Sequence, residues 1–220
     1  MARMKRVIVP GYPHHIVQRG VRSMDIFMKD SDRLEYLSLL RGQGDRFGVK
    51  FLSYCLMTNH VHLLAIPEKT DSLARAIGEA HRLYTRMINF REKVRGYLFQ
   101  GRFASCPVST DNYFLAAIQY ILRNPVIAKM VQHPWDYQWS SAGYHCGLNT
   151  HDILIQDDEL LAVIDNWKEF LSVETTLSSL LEEKNRTGRP FGSDDFYTVV
   201  EKLTGFNVRP GKPGGPSKKQ

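Results

Sequence analysis

Residues 49–67 read VKFLSYCLMTNHVHLLAIP, two strand-like apolar runs separated by Thr58-Asn59. A two-residue separator is the length of a tight hairpin, so the stretch predicts two antiparallel strands. Upstream, HHIVQRG (14–20) is a short β-branched run closed by glycine and predicts an earlier strand. Between them, DSDRLEYLSLLRGQGDRFG opens with capping residues and spaces Leu34, Leu37 and Leu40 helically, with breaks expected at Gly42 and Gly44. Downstream from Asp71, Leu73, Ile77, Ala80, Tyr84 and Met87 form an apolar stripe at helical spacing. GRFASCPVS (101–109) predicts a fourth strand. TDNYFLAAIQYILRNP predicts a helix capped at Thr110 or Asp111 and stopped before Pro125. The resulting order predicts an α+β fold, a ferredoxin-like antiparallel sheet of split βαβ type with helices packed on it.

Beyond residue 125 the text changes. WDYQWSSAGYH (135–145) is aromatic-rich and is expected to pack back onto the sheet domain, whereas 156–205 reads as short acidic helices interrupted by TGRPFGS. The last twelve residues, RPGKPGGPSKKQ, hold too much Pro, Gly and Lys to bury anything. The expected division is a main domain over 1–150, a helical extension over 151–208 and a disordered basic tail over 209–220.

The 43% hydrophobic content is that of a globular protein, and no run approaches the roughly 20 apolar residues of a membrane span. Cys55, Cys106 and Cys146 are odd in number and contain no CxxC, which argues against a disulfide framework or zinc knuckle. The expectation is a cytoplasmic protein with no membrane partner. Charge is uneven: residues 1–106 carry 18 Lys/Arg against 9 Asp/Glu, residues 107–208 carry 7 against 14, and residues 209–220 carry 4 against none. The local balances of +9, −7 and +4 suit a first half and tail that face a polyanion, or a solvated basic face.

In a strand, residues i and i+2 share a face, so His60 and His62 present two imidazoles side by side. This pattern serves either a metal, given one more ligand, or hydrogen bonds to backbone and solvent. His14 and His15 are adjacent and therefore face opposite ways in a strand; they are read as ordinary histidines. On the predicted helix over 110–124, Tyr120 and Asn124 fall off the apolar stripe and stack one turn apart, which sets a phenol and an amide oxygen on one face. Asn124 reads equally as a metal ligand or as a C-cap before Pro125.

YCLMTNHVHLL, then FQGRF, then YILRNPV, resembles the single-tyrosine HUH transposase family (IS200-like transposases), and within it the REP-associated tyrosine transposases. The resemblance covers residues 5–145, and residues 188–220 are similar to a C-terminal extension found in many members. It implies that His60 and His62 are the HUH histidines, that Tyr120 is the nucleophile, and that Asn124 completes a site for Mg²⁺ or Mn²⁺. It further implies a single-stranded DNA endonuclease and strand transferase that acts near hairpins through a covalent 5′-phosphotyrosine, in the cytoplasm at the nucleoid, as a monomer or a dimer. Arg19, Arg82, Arg86 and Arg102 are the candidate DNA-backbone contacts, with tyrosine and phenylalanine available for base stacking. Three alternatives stand beside this reading. One is a domesticated hairpin-binding protein with little cleavage activity; another is a metal phosphodiesterase without a tyrosine adduct. The third, replication initiation by the same chemistry, is disfavoured by the short chain.

Overall fold

The computed structural model describes residues 6–156, 160 and 163–210. Strands β2 (Val49–Leu56) and β3 (His60–Pro67) form the antiparallel hairpin. Its connection is Met57–Asn59, one residue longer than the sequence suggests. The connection is held from outside, because Thr58 O accepts from Ile26 N and Asn59 O from Gly20 N. β1 (His14–Arg19) pairs antiparallel with the other edge of β3, and β4 (Ala104–Pro107) pairs with β1, giving the sheet order β2-β3-β1-β4. With α1 (Asp30–Phe47) between β1 and β2, and α2 (Ser72–Glu92) between β3 and β4, this is the split βαβ arrangement.

The sheet separates two cores because successive strand residues point to opposite faces. On one face Ile16, Val61, Leu63 and Ala65 pack with Leu37 and Leu40 of α1 and Leu73, Ile77 and Tyr84 of α2. On the other, Leu64, Cys55 and Cys106 pack with Ile118, Ile121 and Leu122 of α3 (Asn112–Ile127). Val17 and Arg19 of β1 stand opposite His62 and His60 of β3, so the histidine pair lies on the α3 face of the sheet. A bulge between Phe51 and Ser53 switches the phase of β2: Val49 and Phe51 face the α1/α2 core before it, Tyr54 and Leu56 after it.

Three expected boundaries move. Helix α1 does not break at Gly42 or Gly44 but runs to Gly48, whose φ of 66° ends it in the left-handed conformation. Gly44 is kept small by packing, since a Cβ there would sit 2.8 Å from a Phe51 ring carbon and 2.9 Å from Val49 O. Helix α3, capped by the Asp111 side chain accepting from Tyr113 N, passes through Pro125. The Asn124 side-chain amide donates to Tyr120 O at 2.7 Å, adding a hydrogen bond beside the turn where proline supplies none. β4 is shorter than 101–109 because Gly101 turns the chain at φ 59° and Val108 bridges to Phe191 instead.

The aromatic segment folds back on the hairpin: Tyr137 Oη donates to Leu56 O, Leu56 N to Trp139 O and Ser141 N to Tyr54 O. After it come α4 (Ala142–His145), α5 (Trp167–Ser172), α6 (Ser178–Thr187) and α7 (Asp194–Thr204). Helix α6 packs on β4 and α3, with Leu181 and Phe191 fully buried in the α3-side core. Helix α7 forms a small third cluster with Val7, Val9 and Val208. Arg209, assigned to the tail from sequence, is anchored to α7 through Asp194 and Glu201. The rest of the tail, 211–220, lies outside the described residues. The three cysteines are free thiols. Among the described residues no helix is long and apolar enough to cross a membrane.

Candidate functional site

At the start of β3, His60 Nδ1 lies 2.7 Å from Asn59 Oδ1. An amide oxygen only accepts, so His60 carries its proton on Nδ1 and leaves the Nε2 lone pair available. Burial, followed by the positive charge of Arg19, pushes the His60 pKa down to about 4. His62, 3% exposed, is held well below its ordinary value, by burial first and then by His15, His60 and Arg19. Both imidazoles are therefore neutral at neutral pH. Their ring centroids are 5.0 Å apart.

His15 joins them, contrary to the ordinary role read from sequence. Its ring stacks on His62 at 5.3 Å with 6° between planes, and its Nε2 is 3.0 Å from His62 Nδ1. When His62 Nδ1 donates in this bond, His62 Nε2 is the free lone pair, the tautomer a metal ligand needs. His14 points the other way and is ordinary, with Nδ1 on Tyr12 O and Nε2 accepting from Val9 N. The parity of β1 carried the missed signal, since His15 shares the face of Arg19.

Tyr120 comes from α3 and stands over the imidazoles, its ring 5.6 Å from His62 and 5.7 Å from His15. It belongs to the same chain as the histidines. From the helix periodicity Tyr120 lies off the apolar stripe. It is nevertheless only 7% exposed, because α3 is covered on two sides, by the sheet and by the C-terminal helices. Its hydroxyl donates to Glu182 Oε1 of α6 at 3.0 Å. Burial, then the Glu182 charge and hydrogen bond, push the phenol pKa upward; Arg19 and the Asn124 amide pull the other way.

In the sequence Glu182 is one acid of an acidic extension, with no local pattern to single it out. His15, His62, Tyr120 and Glu182 line a cleft of about 660 Å³ that also takes in Arg19, Gln100, Arg102 and Arg186, with His60 outside its lining. Arg82 and Arg86 are not part of it. They lie on α2, which covers the opposite face of the sheet, and Arg82 is paired in a bidentate fashion with Glu79. Arg82 instead lines a neighbouring groove of about 530 Å³ that shares Gln18, Gly101 and Arg102 with the cleft.

Among the described residues no group of three or more His, Cys, Asp or Glu side chains is placed to hold a metal ion. The two neutral imidazoles suit a divalent cation; Asn124, on α3, has its Nδ2 donating to Tyr120 O and is not among the residues that line the cleft.

Residues 9–124 match the sequence family described as Transposase IS200 like. No curated protein sequence matches the chain. Among solved structures, the chain is similar to a REP-associated tyrosine transposase bound to a REP hairpin, at 15% identity and a TM-score of 0.59, over 72% of this chain and 93% of the other. A provisionally assigned transposase of Deinococcus radiodurans R1 aligns at 17% identity and a TM-score of 0.39, over 50% of this chain and 88% of that one. The first likeness bears on the fold, and agrees with the α+β sheet described above.

Proposed function

The chain belongs to the family of IS200-like transposases, and from that premise we propose that it nicks and rejoins single-stranded DNA beside hairpins, with Tyr120 as the attacking group. The observation that carries this reading is the placement of the Tyr120 ring against His62, which with His60 forms the neutral imidazole pair on that sheet face. The hairpin substrate is suggested by the DNA bound to the structural relative. Residues 1–150 act as the nuclease domain and 151–208 as an extension that closes over it.

In this mechanism Tyr120 Oη bonds to phosphorus as the P–O3′ bond breaks, leaving a 5′-phosphotyrosine and a free 3′-hydroxyl. The ester linkage is conserved, so attack by another 3′-hydroxyl reverses the step and joins strands without ATP. His60, His62 and Asn124 would hold a divalent cation, Mg²⁺ or Mn²⁺, which would supply Lewis-acid polarisation of the scissile phosphate. Asn59 and His15 fix the imidazole tautomers, and Arg19 and Arg102 hold backbone phosphates at the cleft. Arg82 and Arg86 are assigned no contact with the reacting phosphate.

One observation favours a second reading. The Tyr120 hydroxyl is engaged by a carboxylate and held above its ordinary pKa, as expected of a hairpin-binding protein with little cleavage. The experiment that separates them incubates the protein and Tyr120→Phe with labelled hairpin-flanked single-stranded DNA and Mg²⁺ or Mn²⁺. A denaturation-resistant adduct in the wild type alone is the expected result. Tight binding without an adduct would support the second reading, and strand cleavage persisting in the variant would indicate a metal phosphodiesterase.

A further inference from the structure

Glu182 lies outside the three motifs that mark the family likeness, yet it touches the reacting oxygen. It is carried on α6, whose Leu181 is fully buried in the α3-side core, so the helix is seated while the Glu182 residue itself stays exposed at the cleft. Its Oε1 accepts from Tyr120 Oη at 3.0 Å. That carboxylate is the acceptor the hydroxyl is bonded to: Arg19 and Arg102 at the cleft carry only donors, His62 Nδ1 is committed to His15, and the His62 Nε2 lone pair would serve the cation. We propose that Glu182 is a catalytic residue, the general base that takes the Tyr120 proton during strand cleavage and returns it during rejoining. The proposal rests on the nuclease reading above.

The Tyr120 O–H bond breaks and its proton passes to Glu182 Oε1 while the Oη–P bond forms. The P–O3′ bond breaks with its electron pair on O3′, which takes a proton from water. In the reverse direction the incoming 3′-hydroxyl loses a proton to water, and the departing Tyr120 oxygen recovers one from the Glu182 carboxyl. A carboxylate within 3.2 Å of the proton it abstracts meets the geometric requirement for general-base catalysis.

The test is single-turnover cleavage of labelled hairpin-flanked single-stranded DNA with Mn²⁺ by the full chain and by Glu182→Gln, Glu182→Gly and Tyr120→Phe, together with DNA affinity for each. Glu182→Gln keeps the size and hydrogen-bonding capacity of the side chain at an exposed position, so folding is preserved. The expected result is a rate about 100-fold lower in Glu182→Gln, with hairpin affinity unchanged, the residual adduct still on Tyr120, and added formate restoring cleavage in Glu182→Gly. An unchanged or faster rate in Glu182→Gln would overturn the proposal and make the Tyr120–Glu182 contact a restraining latch. Cleavage that survives in Tyr120→Phe, or the absence of any adduct with the wild type, would overturn the nuclease reading and this one with it.

Discussion

His15 shows how a single side chain changes standing once its neighbours are known. Its place in the sequence, directly after His14, suggests two histidines facing apart, and they do face apart: His14 binds backbone, whereas His15 lies against His62. The registry of β1 on β3 decides this, and no local pattern carries that registry. If His15 orients His62 for metal binding, His15→Ala weakens Mn²⁺ affinity about 10-fold to 100-fold. Titration calorimetry on the DNA-free protein checks it, and an unchanged affinity would leave His15 a core residue only. His60, His62 and Tyr120 were legible because their spacing sits in motifs. Glu182 was not, since nothing in a run of acidic residues marks the one that meets the phenol.

At the scale of elements, the hairpin, the βαββαβ order and the amphipathic α2 follow from periodicity, while their ends follow from tertiary packing. Helix α1 is the clearest instance. Gly42 and Gly44 look alike as helix breakers, yet a Cβ at Gly42 meets nothing within 4 Å, whereas one at Gly44 would press on Phe51 and Val49. Gly42→Ala is therefore expected to stabilise the protein by about 0.5–1 kcal/mol through helix propensity. Gly44→Ala is expected to destabilise it by about 1–3 kcal/mol through overpacking. Urea unfolding of both variants measures the contrast, and equal effects of the same sign would contradict it. The bulge in β2 was equally hidden, because an extra residue changes which face a side chain takes without changing the composition of the run.

The whole molecule buries several histidines in neutral form, and this sets its response to acid. Burial pushes the pKa of His14 and His145 down to about 4 and that of His81 down to about 3, from an ordinary 6.5. Below pH 6.5 the unfolded chain takes up protons that the native protein refuses, so this stability is complete above 6.5 and is lost as pH falls toward 4. Each such histidine contributes about 1.4 kcal/mol per pH unit in that window.

Asp32 adds to the loss only below its ordinary 3.8. Burial raises its pKa, but the hydrogen bonds from Arg91 and from the Met28 and Lys29 amides hold it below that value. The expected outcome is a urea midpoint that decreases steadily from pH 6.5 to pH 5; a constant or rising midpoint would contradict it.

At this scale the sequence also conceals how the C-terminal extension serves the site. Its helices read as a separate acidic segment, yet α6 reaches across β4 to the tyrosine.

The central claim is that Tyr120 becomes joined to the 5′ side of a cleaved strand. The most direct measurement digests the protein–DNA adduct with protease and nuclease and locates the nucleotide by tandem mass spectrometry. A 5′-phosphonucleotide on the peptide that contains Tyr120, with a free 3′-hydroxyl on the released strand, is the predicted result. A nucleotide on another residue, a 3′-phosphate linkage, or a free 5′-phosphate product with unmodified Tyr120 would contradict it.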